Sequence, residues 1–398
     1  MAKLKAVSVL IVLLIILFAL FFTGQRGTGE PGNVSELPGT VIAVDNEAIL
    51  QSGAGAVGVQ TATVVISAGA WKGHQVEAVN HLNGQLEMDE IYVPGDRILL
   101  AVQEVDHQIT AARTINGYRQ NWELVLFAVF AVALVVYSRV IGLKALFSFV
   151  AALGVLWLFY IPNLLAGVAP LPLSLAVLVL LSMVIILSVA GITRHGIAAF
   201  LGTVCGLGGT LGLTLFFGEK LSLGGMTTPF STTLLVQGGY GLNFQHIFYS
   251  AVLLGASGAA MDIAMDVSVS MNEIKSKRSD IGMRELIESG FNVGRMVIGT
   301  MSTTLLLAYS GGYLTMLMVF VSQGTSVTRI VNMKMVAAEI FRILIGSIGL
   351  LMVAPVTAVI AGVLLTGGDA VWRVRPLVPE SDEVAPAREE PLENLQGR

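Results

Sequence analysis

Residues 250–273 read SAVLLGASGAAMDIAMDVSVSMNE, an apolar run of helix length that carries two carboxylates, Asp262 and Asp266, four residues apart. At that spacing the two share one helix face. A charge at the centre of a bilayer costs roughly 2.5 to 3.5 kcal/mol on insertion scales, so the pair must titrate together, bind a cation or meet a basic partner. Each alternative predicts that this face is turned into a helical bundle, toward a neighbouring helix or a hydrated cavity. Gly255, Ser257, Gly258, Ala259 and Ala260 precede the pair, and small residues permit close helix approach. Glu273 follows seven residues after Asp266 near the same face, which completes a candidate ion- or proton-binding set of Asp262, Asp266 and Glu273.

The composition agrees with a membrane setting. Of 398 residues, 54% are hydrophobic and 13% charged, against about 25% charged in a typical soluble domain, and the mean hydropathy is +0.77. A net charge of −4 gives no case for nucleic acid as a partner. The single cysteine, Cys205, excludes an intrachain disulfide. No nucleotide-binding signature is present, so active pumping would need a separate ATPase.

The first apolar run, residues 4–22, follows Lys3 and Lys5 and is long enough to span a bilayer. No A-x-A-like cleavage site follows it, so residues 1–23 read as an uncleaved transmembrane anchor with the N-terminus in the cytoplasm, a cleaved signal sequence being the alternative. Residues 34–115 are different in character. Short β-prone runs at 39–44, 60–67, 73–79, 91–93 and 98–102 are separated by Gly, Asn and Pro turns, and VPGDRILLAV (93–102) carries the turn chemistry of a strand connection. This segment is expected to be a small extracytoplasmic all-β domain, barrel- or sandwich-like.

From Trp122 to residue 366 apolar runs dominate: 122–137, 143–161, 171–191, 197–217, 244–271, 297–321 and 343–365. Basic residues mark the cytoplasmic loops. Arg139 and Lys144 fall in one loop, Arg194 in another, and Lys275, Lys277, Arg278 and Arg284 in a third, whereas the intervening short loops hold only Lys220. The run 297–321 admits two readings. As one tilted helix it gives eight spans with Arg373 and Arg375 inside; broken at Gly311–Gly312 into a tight hairpin it gives nine spans, returns Arg329, Lys334 and Arg342 to the cytoplasm and leaves the tail outside. Three bases against two favour the hairpin. The tail, 367–398, is rich in Pro and Glu and reads as disordered.

The paired aspartates admit a functional and a structural reading. A coupled carboxylate pair in a low dielectric holds one proton at neutral pH and marks ion pathways in transporters; alternatively Arg295, in the next span, neutralises Asp266. Glu339 and Arg342, three apart, can pair along one helix face as interfacial anchors, or Glu339 joins the acidic site. Gly202, Gly206, Gly209 and Gly212 in GTVCGLGGTLG form a smooth ridge for close helix packing, as Gly255 and Gly258 do on the acidic helix. Gly255-Ala256-Ser257-Gly258 looks like the nucleophile motif of rhomboid proteases, but all five histidines (His74, His81, His107, His195 and His246) precede the serine, whereas that family's follows it. His74, His81 and His107, with Asp89 and Glu90, match no zinc spacing and read as surface residues.

Taken in order, the anchor, VPGDRILL, GASGAAMDIAMDVSVSMNEI, NVGRMVIGTMSTTLLLAYSGG and AAEIFRILIGSIGLLMVAPVTAVIAG resemble the YibE/F-like family of bacterial multi-pass membrane proteins, over residues 39–362. The resemblance implies a plasma-membrane protein of permease-like build and supplies no catalytic residues. The expected fold class is an all-α polytopic membrane protein of eight to nine transmembrane helices carrying a small extracytoplasmic all-β domain. The expected function is secondary transport of an unidentified small molecule coupled to protons or cations, with no enzymatic step, cofactor or metal. The competing class is a membrane scaffold or assembly factor whose β domain binds a protein partner.

Overall fold

Alternation of apolar and polar residues builds the first part of the chain. In the computed structural model, which describes residues 34–367 apart from 54, 85, 87, 106, 229, 237, 239 and 240, six strands form one sheet. They are β1 (Val34–Asp45), β2 (Ile49–Ser52), β3 (Gly55–Ile66), β4 (Gln75–Asn83), β5 (Arg97–Val105) and β6 (Gln108–Gly117). The expected anchor and tail lie outside the described residues. β1 pairs antiparallel with both β3 and β5, and β4 meets β6 in parallel at Val79 and Arg113, so the order β1-β3-β4-β6-β5 closes on itself. That closure, with β2 as a side hairpin on β3, is the five-stranded Greek-key barrel of OB-type domains. Every second residue of β3 from Gln60 points inward, and Ala62, Val64 and Ile66 meet Val41, Ala78, Ile98, Leu100 and Val102 in the barrel core.

The run 91–93 does not form a strand. Tyr92 instead drops its ring into the barrel core, and its backbone pairs with the side chain of Gln60, donating N–H to Oε1 at 3.0 Å and accepting from Nε2 at 2.9 Å. Asn80 donates to the same Gln60 oxygen and to the Glu90 carbonyl, and Thr114 donates to Asn80. A buried amide therefore takes the part of a neighbouring strand. The turn after it forms as the sequence implies, with Gly95 at φ 102°. β2 and β6 were not legible as β-prone runs, β6 because its sequence QITAARTING is largely polar.

Burial pushes the Tyr92 hydroxyl up to about 12, with the nearby Glu90 charge adding to the effect. The folded barrel thus holds this proton more tightly than an unfolded chain, whose tyrosine titrates near 10. Residues 34–117 expressed alone should melt cooperatively with a stability independent of this group below pH 10, losing about 2 kcal/mol as pH rises from 10 to 12. Tyr92→Phe should remove that part of the decline. An unaltered alkaline profile in the variant would show that the ring is not held as described.

Beyond Arg119 the chain is helical: α1 (Gln120–Gly154), a π-helical turn (Val155–Tyr160), α2 (Ile161–Leu165), α3 (Pro170–Ala190), α4 (Arg194–Lys220), α5 (Ser231–Val236), α6 (Phe244–Lys277), α7 (Met283–Gly312), α8 (Leu314–Ser322), α9 (Val327–Asn332) and α10 (Lys334–Thr366). The chain divides at Pro162 into two units. In the first, α1 is not straight. Arg139 has φ 48° and ψ −121°, and Phe127 stacks on Phe149 with centroids 6.3 Å apart. An uninterrupted helix would hold those two about 33 Å apart. The segment is therefore a helical hairpin turning at Arg139, and Gly142 allows its backbone to press against that of Leu134. This matches the separate apolar runs 122–137 and 143–161.

The second unit is a bundle around α6, which packs against α3, α4, α7 and α10. Five helical segments of the described chain are long and apolar enough to cross a membrane, with the hairpin of residues 120–165 counted as one, or six if the bent pair α7 and α8 is counted as one span. The hairpin expected at Gly311–Gly312 does not form. α7 runs through both glycines and then bends by 69° into α8, whose nine residues reach only about 14 Å. Close contacts of Gly346 with Leu305, Gly290 with Ala358 and Gly362 with Ile287 set α10 antiparallel to α7. Its C-terminus therefore lies at the end that holds the basic turn between α6 and α7. Arg194 lies at the same end, because Gly202 of α4 meets Thr357, whereas Gly218 near the other end meets Tyr249.

Candidate functional site

The acidic helix starts where Asn243 accepts a hydrogen bond from the His246 N–H at 3.0 Å, a side-chain cap that satisfies one of the free amides of its first turn. From there α6 divides sharply into two faces. Val252, Leu253, Ala256, Ala260, Ile263, Ala264, Val267 and Met271 are buried in the bundle core. Gly255, Gly258, Asp262, Asp266, Val269 and Glu273 are exposed along the opposite side. The spacing thus does bring the two aspartates onto one face, but that face looks out of the bundle, contrary to the expectation of an interior site. The reason is competition between stripes: burying the apolar stripe against α4, α7 and α10 stabilises the bundle, whereas burying a charged stripe there would cost desolvation. Ser257 and Ser268 fall on the packed side and bond to the carbonyls of Leu254 and Met265, so they line no polar cavity.

Glu273 separates from the pair. It bonds to Lys277 at 3.0 Å across one turn, both side chains being well exposed, a surface arrangement of small energetic weight. Arg295 does not meet Asp266; it donates to Asn292 at 3.0 Å on its own helix and is itself exposed. Among the described residues neither aspartate has a basic partner within ion-pair distance. The basic turn between α6 and α7 is instead internally satisfied: Lys275 donates to the carbonyls of Ser279 and Ile281, and Arg278 to Glu285 at 2.6 Å.

Glu339 and Arg342 do pair, at 3.8 Å, but not as interfacial anchors. Their side chains are 10% and 18% exposed. Arg342 lies over the rings of Phe248 and Tyr309, at 5.8 and 6.0 Å, and Tyr313 stands beside Glu339. Glu339 Oε1 and Arg342 Nε are buried without hydrogen-bond partners among the described residues. This ionic knot joins α6, α7 and α10 at the end away from the basic turn. Nor does Glu339 reach the aspartates, since Phe248 precedes Asp262 by 14 residues, about 21 Å along the helix. The signal that sequence reasoning missed is aromatic: Phe248 is far in the chain from Tyr309 and Tyr313, and the three converge on Glu339 and Arg342 only through the antiparallel register.

The glycine ridge of α4 meets α10. A methyl group on Gly202, Gly206 or Gly209 would overlap Thr357, Val353 or Met352 respectively, whereas Gly212 has open space. Gly255 lies against the Tyr309 hydroxyl, and Gly258 is open. In the barrel, His81 lies on β4 beside Val59, and His74 and His107 border a groove of about 390 Å³ with Trp71, Glu77 and Thr110. Trp71 is tied there to Glu104 at 3.2 Å. Among the described residues no group of three or more His, Cys, Asp or Glu is placed to hold a metal ion.

No curated protein and no solved structure matches the chain. A family model described as YibE/F-like protein matches residues 126–367, which takes in the α1 hairpin and the whole bundle with its acidic face, glycine ridge and ionic knot. The chain is therefore a membrane-type helical protein that belongs to the YibE/F-like family.

Proposed function

We propose that this protein is a secondary transporter of the bacterial plasma membrane, coupled to protons or cations through Asp262 and Asp266. The observation that carries this reading is that two carboxylates stand one turn apart within a spanning helix with no base paired to either among the described residues. Ionisable groups left without a base inside a spanning helix are characteristic of ion pathways. Arg194, the basic turn and the end of α10 share one end of the bundle. The excess of bases assigns that end to the cytoplasm, with the N-terminus on the same side and the barrel outside.

A second reading is favoured by the groove beside Trp71, His74 and His107, since OB-type barrels are binding modules: there the protein is a scaffold whose barrel takes a protein partner. Ion flux separates the two. Proteoliposomes holding the full chain should dissipate an imposed pH or cation gradient faster than empty vesicles, and cells overproducing it should differ from deletion cells in ion or metabolite content. Gradients and contents unchanged by the protein would overturn the transport reading and leave the scaffold.

A further inference from the structure

Three charged side chains on two neighbouring helices face outward with no ion-pair partner among the described residues: Asp262 and Asp266 on α6, and Arg295 on α7. The two helices are antiparallel, and their register follows from small-residue contacts. A methyl on Gly294 would lie 3.7 Å from Val267, and Gly290 sits against Met271. Asp266 and Arg295 are therefore at the same depth along the bundle, as are Asp262 and Gly299. A lone charge facing lipid is unfavourable for either sign, yet within one copy these opposite charges do not meet.

We propose that a second copy of this chain covers this face in a two-fold dimer, with Asp266 of each copy paired to Arg295 of the other. Copies inserted in the same sense are related by an axis along the membrane normal, which preserves depth. An isologous interface brings residue i of one copy to residue j of the other and j to i, so reciprocal pairing requires that the two residues lie at equal depth, and they do. Gly258 and Gly299, where an added methyl would meet nothing within 4 Å, leave both helices smooth beside the charges, so the backbones can approach closely. Asp262 then faces the level of Gly299, which offers no base, so the dimer narrows the coupling proposed for the pair to Asp262 and gives Asp266 a structural part. That coupling rests on the transport reading; the dimer does not.

Association provides the test, separately from flux. Full-length chains with two different tags should co-purify from membranes in mild detergent. Asp266→Arg and Arg295→Asp, each expressed alone, set like charges against each other and should weaken co-purification by about tenfold or more. Co-expressing the two variant chains should restore it in the mixed pair, because each junction again holds one acid and one base. Recovery only when both substitutions lie in one chain would place the pair within a single copy and overturn the proposal, as would undiminished association of either variant alone. Should those variants insert poorly, Asp266→Cys and Arg295→Cys chains, both in a Cys205→Ser background, should cross-link to each other on mild oxidation. A wild-type protein that is monomeric in nanodiscs, or no cross-linked product, overturns it as well.

Discussion

Asp262→Asn should leave a folded, inserted protein that no longer couples to an ion gradient. The amide matches the protonated acid in size and still donates and accepts hydrogen bonds, and the position is exposed on the outer face of α6, so no packing is lost. Its thermal stability in detergent should stay within about 0.5 kcal/mol of wild type. What disappears is the exchangeable charge, and with it the gradient-driven flux in proteoliposomes. Asp262→Glu keeps the charge on a longer arm and should retain part of the activity. Asp266→Asn should differ from Asp262→Asn: if Arg295 of a second copy is its partner, the substitution strands a cation and lowers stability as well as flux. Full coupled flux in Asp262→Asn would remove this residue from the mechanism.

The largest stability effect is expected at the ionic knot. Glu339→Gln leaves the Arg342 guanidinium buried without a counter-charge, and breaking a buried pair in this way costs about 3 to 5 kcal/mol. Arg342→Met should cost less, because a carboxyl group can take up a proton when its partner is removed, whereas a guanidinium cannot give one up. Arg342→Met also gives up contact with the Phe248 and Tyr309 rings, about 0.5 to 2 kcal/mol. The double variant Glu339→Leu with Arg342→Met should return to within about 1 kcal/mol of wild type, since apolar replacements of a buried pair are often neutral. An exposed pair at the same spacing would be worth only about 0.2 to 0.5 kcal/mol, so detergent melts of the single variants distinguish the two situations directly. A Glu339→Gln protein that melts like wild type would mean that the pair is solvated.

The membrane class, the N-terminal β domain and the separate apolar runs were legible in the chain itself, because hydropathy and strand alternation are local properties read within one segment. The glycine ridge was legible too: spacings of three and four in Gly202, Gly206 and Gly209 specify a smooth face whatever the neighbour is. Helical spacing likewise determined that Asp262 and Asp266 share a face. It did not determine which way the face points. That was decided by the competing stripe from Val252 to Met271, whose apolar side chains are buried against α4, α7 and α10 and leave the acids outside. The same tertiary register turned Glu339 and Arg342 from a surface pair into a buried knot, by bringing Phe248 and Tyr309 over them from two other helices. It also brought the end of α10 back beside the basic turn, where counting loop charges had favoured the opposite side, because Gly311–Gly312 bends the chain without returning it. Periodicity along one segment determines which residues stand together; only the packing of several segments decides what stands opposite them.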